Sequence, residues 1–361
     1  MENIACMPAF RFPLVPSLCP LSSRGTSHPQ SRSPVARAIL YMAFLGFGLP
    51  AVRAEERLLL AADNQVVEVN RAGRVTDLLS KQGHGGIYEA WRLPDGGIAY
   101  AHSKGLAVFD AQKKLVLAHA ARAGSKGTEA NGCAVLEGGD RFALVDAGVN
   151  QIRVVDRSGM VCSETPLPAL DELPTHSRYR TVRAVPGEKA FWVTQYSRKM
   201  VLKVEEGSGR VLEARDLDAL LKPKVSGPAF SALPLPGGGL WVATSTGKQL
   251  VKIGGQGEVE QVLNASDLGL SCRYLLGTQQ LENGHLMVSC GDYHLKAAEE
   301  GLDLVAELDQ KNTVIWRLTR SQLIEQVDGH VEPKTGLEEM RVTHVHVYDS
   351  GRLSGVLNVL R

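Results

Sequence analysis

An internal repeat constrains this chain more than any other feature of its sequence. The unit is an apolar stretch, a glycine turn, an alternating strand, a polar turn, a strand ending near Asp or Glu, a second glycine turn and a further strand. It recurs with a period of roughly 45 residues. It is clearest in Trp91-Arg-Leu-Pro-Asp-Gly-Gly-Ile-Ala-Tyr, Gly105-Leu-Ala-Val-Phe-Asp and Lys114-Leu-Val-Leu-Ala. Later copies begin near Ala134, Val182, Ala232 and Gln280, each with its own Gly-containing turns. Each copy reads as four short strands. A lone four-stranded sheet buries too little apolar surface to be stable, whereas such sheets stacked face to face share one core.

The ends of the repeat region supply its closure. Residues 57–79 (RLLLAADNQVVEVNRAGRVTDLL) hold the later strands of a unit without a first one. Residues 341–357 (RVTHVHVYDSGRLSGVL) hold a lone alternating strand. Joined, they make a composite unit that ties both ends into a ring. The expected fold is therefore all-β, a single β-propeller of six four-stranded blades closed by this composite one. The irregular stretches 290–304 and 319–340 leave seven blades open, and residues 317–327 suit a short helix with Ser321 as its N-cap. The 37 glycines among 361 residues fit a chain of many tight reversals.

Residues 1–54 read differently, as a leader ahead of a propeller domain at 55–361. The first 34 residues are rich in Pro, Ser and Arg and show no periodicity. Arg37, the apolar run 38–50 (AILYMAFLGFGLP) and Val52-Arg53-Ala54 then form a basic flank, an apolar segment and a small-residue cleavage site. That is the pattern of a secretory signal peptide, so the mature chain is expected outside the cytoplasm, periplasmic or extracellular. The run is short for a permanent span, and no stable transmembrane segment is expected after cleavage. A net charge of +1 gives no reason to expect a nucleic-acid partner. Cys6 and Cys19 fall in the leader. Cys133, Cys162, Cys272 and Cys290 follow no zinc-ligand spacing, and export permits disulfides, with Cys272–Cys290 one candidate pair.

The fifth copy carries the sharpest motif. Gly277-Thr-Gln-Gln-Leu-Glu-Asn-Gly-His-Leu-Met-Val-Ser, followed by Val305-Ala-Glu-Leu-Asp-Gln-Lys-Asn-Thr-Val-Ile-Trp-Arg-Leu, resembles blades of bacterial exported propellers grouped as PQQ-binding-like and arylsulfotransferase-like repeat proteins. The resemblance implies the propeller architecture over most of residues 57–357. It says little of the chemistry. PQQ-dependent dehydrogenases of the eight-bladed kind are longer, with a calcium site and a vicinal cysteine pair, and this chain has no adjacent cysteines. Arylsulfotransferases use a catalytic His supported by Arg and other His residues. The resemblance assigns that role to none of His84, His176, His344 or His346, and it fixes no cofactor.

In a propeller the innermost strands line the axis, and the loops leading into them form one face. Ligands gather there because loops carry function on a rigid frame. The candidate ligand-binding residues on that face are Tyr88, Glu89, Asn131, Arg178, Arg180, Arg273, His344 and His346. Trp91, Cys133, His176, Tyr179, Arg183, Phe230, Ser231 and Tyr274 share these lead-in segments. The arginines suit a small polar or anionic ligand, which Tyr88 and Asn131 would orient; another protein is the alternative partner. His344 and His346 alternate so that both leave one face of a strand, a spacing open to a metal with Glu89 or His84, although two such histidines more often serve as polar channel groups. No metal centre is assigned. The chain contains no nucleophile elbow, HExxH motif or phosphate loop, so no catalytic set is identified. A binding module is the first reading. A metal-dependent lactonase-like hydrolase or an arylsulfotransferase-like transferase is the alternative.

Overall fold

The computed structural model describes residues 56–62, 65–80, 86–221, 227–291, 302–323 and 342–349. The leader 1–54, its apolar run 38–50, Cys6, Cys19 and His84 lie outside the described residues. So do most of the stretches 290–304 and 319–340. Six four-stranded antiparallel sheets are present. Blade 1 comprises Ile87–Arg92, Ile98–His102, Gly105–Phe109 and Leu115–Ala120. Blade 2 comprises Ala130–Leu136, Arg141–Asp146, Gln151–Asp156 and Val161–Pro166. Blade 3 is Tyr179–Ala184, Ala190–Gln195, Met200–Glu205 and Val211–Asp216. Blade 4 is Ser231–Pro234, Leu240–Ala243, Gln249–Ile253 and Val259–Asn264. Blade 5 is Gly277–Gln280, Leu286–Ser289, Asp303–Leu308 and Val314–Thr319.

The closing blade is composite. Val342–Asp349 supplies its innermost strand, and Glu56–Ala62, Gln65–Asn70 and Val75–Ser80 supply the other three. Leu58 pairs with Val347 on one side and Val69 on the other, so the two ends of the chain share one hydrogen-bonded sheet. The chain is a six-bladed β-propeller.

The burial pattern explains why these segments are strands. The second and third strands of blade 1 are buried along their whole length, because each blade is sandwiched between two neighbours. The outermost strands alternate instead, as in Val314–Thr319, since one face looks outward. The apolar core accordingly divides into six clusters, each shared by two neighbouring blades. One joins Leu58, Val67 and Val345 of the closing blade to Met287 and Val305 of blade 5. No blade completes a core alone.

The Asp or Asn that ends the third strand has a local task. Asn70, Asp110, Asp156 and Asp309 each accept two backbone N–H groups of the following turn with one side-chain oxygen. This closes the hairpin to the fourth strand. Lys113 and Asn312 take the left-handed conformation there, with φ of 61° and 62°, where other copies use glycine.

The expected helix after blade 5 is shifted. Residues up to Thr319 remain in the strand, and helix begins at residue 320. Its cap is Thr319 rather than Ser321: the Thr319 hydroxyl accepts the Gln322 N–H at 3.3 Å, and the Gln322 side chain accepts the Thr319 N–H at 2.9 Å. That reciprocal pair is a capping box, which Ser321 cannot form from inside the first turn. Among the described residues no helix is long and apolar enough to cross a membrane.

Candidate functional site

The six innermost strands surround the axis, and side chains from four blades meet there. Glu89 of blade 1 is the hub. Its carboxylate accepts the Cys133 N–H of blade 2 at 2.8 Å and pairs with the Arg183 guanidinium of blade 3. His344 Nε2 of the closing blade stands 3.4 Å from the same carboxylate. Gly132 permits this convergence: a Cβ there would lie 3.0 Å from Glu89 Oε2 and 2.5 Å from the Arg180 carbonyl oxygen. Arg183 also donates to the Val182 carbonyl at 2.7 Å and lies 4.9 Å over the Trp91 ring. The Trp91 indole N–H in turn donates to the Cys133 carbonyl at 2.9 Å.

His344 and His346 both lie against Trp91, with ring centroids 5.3 and 4.9 Å away, so the two do leave one face of their strand. Burial, with the charge of Arg183 beside it, lowers the His344 pKa to about 3. Burial and the neighbouring His344, Arg92 and Arg183 do the same for His346. Both rings are therefore neutral near pH 7. The Arg92 N–H donates to His346 Nδ1 at 3.0 Å, so the ring proton of His346 sits on Nε2. The Glu89 carboxylate beside His344 Nε2 favours the proton there, leaving Nδ1 as an acceptor. His344 Nδ1 and His346 Nε2 are buried and have no hydrogen-bond partner. The axis thus offers one unused acceptor and one unused donor, the complement of a hydroxyl group or water. Burial pushes the Glu89 carboxyl up against the opposing pull of Arg183.

A second group of side chains lies where the innermost strands begin, here called the leading end. The Asn131 side chain donates to the Tyr179 carbonyl at 2.6 Å and accepts from Arg180 at 3.1 Å. The Arg180 guanidinium lies 4.6 Å from the Tyr196 ring and 5.6 Å from that of Phe230. Beside them, Glu129 accepts from the Tyr88 hydroxyl at 3.2 Å and holds His176 Nδ1 at 2.6 Å. The His176 side chain is 44% exposed, whereas Glu129 is nearly covered.

Six of the eight residues expected from the sequence fall into these two groups: Tyr88, Glu89, Asn131, Arg180, His344 and His346. Arg178 does not join them. Its fully buried guanidinium turns into the connector ahead of blade 3, donating to the carbonyls of Leu173, Ala147 and Gly148 at 3.1 to 3.3 Å and pairing with Asp171. Arg273 is exposed and makes no hydrogen bond or ion pair with a described residue. Glu129 and Tyr196 were not anticipated. Glu129 immediately precedes an innermost strand, and its position was the available signal. Among the described residues no group of three or more His, Cys, Asp or Glu side chains is arranged to hold a metal ion. The four described cysteines are free thiols, and Cys272 and Cys290 share one cluster between blades 4 and 5.

Comparisons with known proteins establish the class rather than the chemistry. No protein-family model matches the sequence, and no curated protein matches it. A solved structure of a protein of unknown function from Bacteroides caccae superposes with a TM-score of 0.65 at 19% identity, over 81% of this chain and 98% of that one. The likeness extends to the fold. A streptogramin B lyase structure matches with a TM-score of 0.48 at 11% identity, covering 74% of this chain and 88% of that one. A catalytically inactive virginiamycin B lyase from Staphylococcus aureus with quinupristin gives 0.47 at 12% identity, covering 74% and 85%.

Proposed function

We propose that this propeller is an exported binding protein that holds a small polar or anionic molecule on its axis, between the imidazole group and the leading end. The observation that carries the reading is the pair of unpartnered, buried imidazole nitrogens of His344 and His346 beside Glu89 and Arg183. Other buried side-chain atoms among the described residues also lack a partner, but these two belong to neighbouring rings on one strand that both pack on Trp91. A ligand hydroxyl would satisfy both, and the Arg180 guanidinium, held by Asn131 and the Tyr196 ring, supplies positive charge at the leading end. Export is supported by the apolar run 38–50 and its flanks. The fifth copy supports kinship with the PQQ-binding-like and arylsulfotransferase-like repeat proteins.

The test is a thermal-shift screen of hydroxy acids, sulfate monoesters and phosphate monoesters against the full chain. At least one compound should raise the melting temperature. That rise should be lost in Arg180→Gln and in His344→Phe. A rise unchanged in both folded variants, or no rise with any compound, sinks the proposal.

One observation favours catalysis as the second reading. A covered carboxylate that fixes Nδ1–H of a half-exposed imidazole leaves Nε2 as the basic nitrogen, the arrangement of a general base. Turnover of a sulfated phenol or a lactone that is lost in His176→Ala and Glu129→Gln would establish this reading. Turnover unaffected by either substitution would place the chemistry elsewhere.

A further inference from the structure

The blade junctions differ at the trailing end, where the innermost strands finish and the hairpins between third and fourth strands project. At five of the six junctions a side chain crosses from one blade to the next beside this hairpin. Lys113 of blade 1 reaches Asp77 of the closing blade. Arg157 of blade 2 pairs with Asp95 of blade 1 at 2.5 Å. Glu206 of blade 3 accepts from Ser163 of blade 2 at 2.7 Å. Arg215 of blade 3 donates to the Gly255 carbonyl of blade 4 at 3.3 Å. Arg71 of the closing blade pairs with Glu307 of blade 5 and lies 4.8 Å from the Trp316 ring.

The junction between blades 4 and 5 lacks such a strap among the described residues. Gln310 stands one residue after the turn-capping Asp309, as Arg157 does after Asp156, but it folds back to the Asn283 carbonyl of its own blade at 2.8 Å. On the blade 4 side the hairpins present glycines, among them Gly237, Gly239 and Gly255. What remains is a groove of about 440 Å³, within the span of small-ligand sites.

The lining specifies the chemistry. Its charges are already satisfied: Lys252 pairs with Glu260 at 2.8 Å, and Asp309 accepts two N–H groups of its own turn. Gln261, Gln280 and Asn312 also line the groove, and their amides make no hydrogen bond to a described residue. Each offers a donor and an acceptor together, which suits hydroxyl groups rather than ions. Trp241 adds an indole, apolar over its rings and polar at its N–H.

We propose that this groove is a second ligand site, for a small uncharged polyhydroxylated molecule of mono- or disaccharide size. It shares no residue with the axial group, so the two sites stand or fall separately.

Saturation-transfer-difference NMR on the full chain tests it, with glucose and maltose as the uncharged compounds and glucuronate and glucosamine as charged counterparts. Transfer is expected to the uncharged pair and to be weaker for the charged one. Gln310→Arg, which supplies the missing strap, and the double variant Gln261→Ala/Gln280→Ala should each weaken binding about tenfold, the loss of roughly one hydrogen bond's worth of affinity. Circular dichroism checks that each variant folds, and if Gln310→Arg does not, the double variant decides. No transfer to either uncharged sugar, equal transfer to the charged ones, or undiminished transfer in a folded variant overturns the proposal.

Discussion

Two buried carboxylates, Glu68 and Glu89, are equally inaccessible, each 2% exposed, yet they behave oppositely. Glu68 sits in the second strand of the chain's N-terminal contribution to the closing blade. It accepts from the Tyr348 and Thr76 hydroxyls and pairs with Arg57 and Arg92. Burial alone would raise its pKa, but these partners outweigh burial and lower it to about 2. Glu89 has one arginine, one backbone N–H and a neutral imidazole, and there burial wins. Partner number and depth together separate a closed clasp from a group with capacity left over: Glu89 is the more deeply desolvated and has fewer partners. The clasp ties Tyr348 at the C-terminal strand to Arg92 of blade 1, so it closes the ring. The clasp leaves Arg92 Nε without a hydrogen-bond partner, and the axial cluster leaves two imidazole nitrogens so.

The comparison breaks most visibly at the clasp. Glu68→Ala should cost about 3–5 kcal/mol, since Arg92 would lose its charge partner while largely covered. Urea unfolding checks this, and a loss below 1 kcal/mol would mean that the network does not hold the ring shut. The next effect is pH dependence. The two axial histidines have folded pKa values of about 3, below the unfolded value of 6.5. Their contribution is complete above pH 6.5 and is lost as pH falls from 6.5 toward 3. Together they should lower stability by about 3 kcal/mol per pH unit over the middle of that window. His344→Phe/His346→Phe should flatten this slope in unfolding measured at successive pH values. The Glu68 contribution is present above pH 4.5 and lost from 4.5 toward 2, so Glu68→Ala should remove only the more acid part of the loss. The smallest effect is expected from Glu89→Gln. It keeps an acceptor for only one of the Cys133 N–H and the Arg183 guanidinium, and should cost about 2–3 kcal/mol. A cost equal to that of Glu68→Ala would erase the distinction between the two sites.

The architecture was legible because the repeat prints it directly. Buried inner strands give apolar runs, Asp-capped turns recur at fixed offsets, and the unmatched ends can be accommodated only by joining. Much of the axial group was legible for a related reason: Glu89, Asn131, Arg180, His344 and His346 are polar at positions where a strand packed between blades could be apolar. The direction of Arg178 is not legible, because position on a lead-in segment does not tell which way a long side chain turns, and it turns to the loop carbonyls of Ala147, Gly148 and Leu173. The clasp is only half legible: a lone Glu inside Gln65-Val-Val-Glu-Val-Asn signals a buried charge in need of partners, but not which ones. Its partners Arg92 and Tyr348 lie 24 and 280 residues away, and only ring closure brings them together.

The most direct measurement is nitrogen-edited NMR of the imidazoles in the full chain, followed from pH 8 to pH 5. The expected result is that His344 and His346 stay neutral throughout, both protonated on Nε2, with the Nδ1 signal of His344 moving when a compound that raises the melting temperature is added. Titration of either ring near pH 6.5, or a His344 ring protonated on Nδ1, would contradict an axis that keeps an acceptor and a donor free for a ligand.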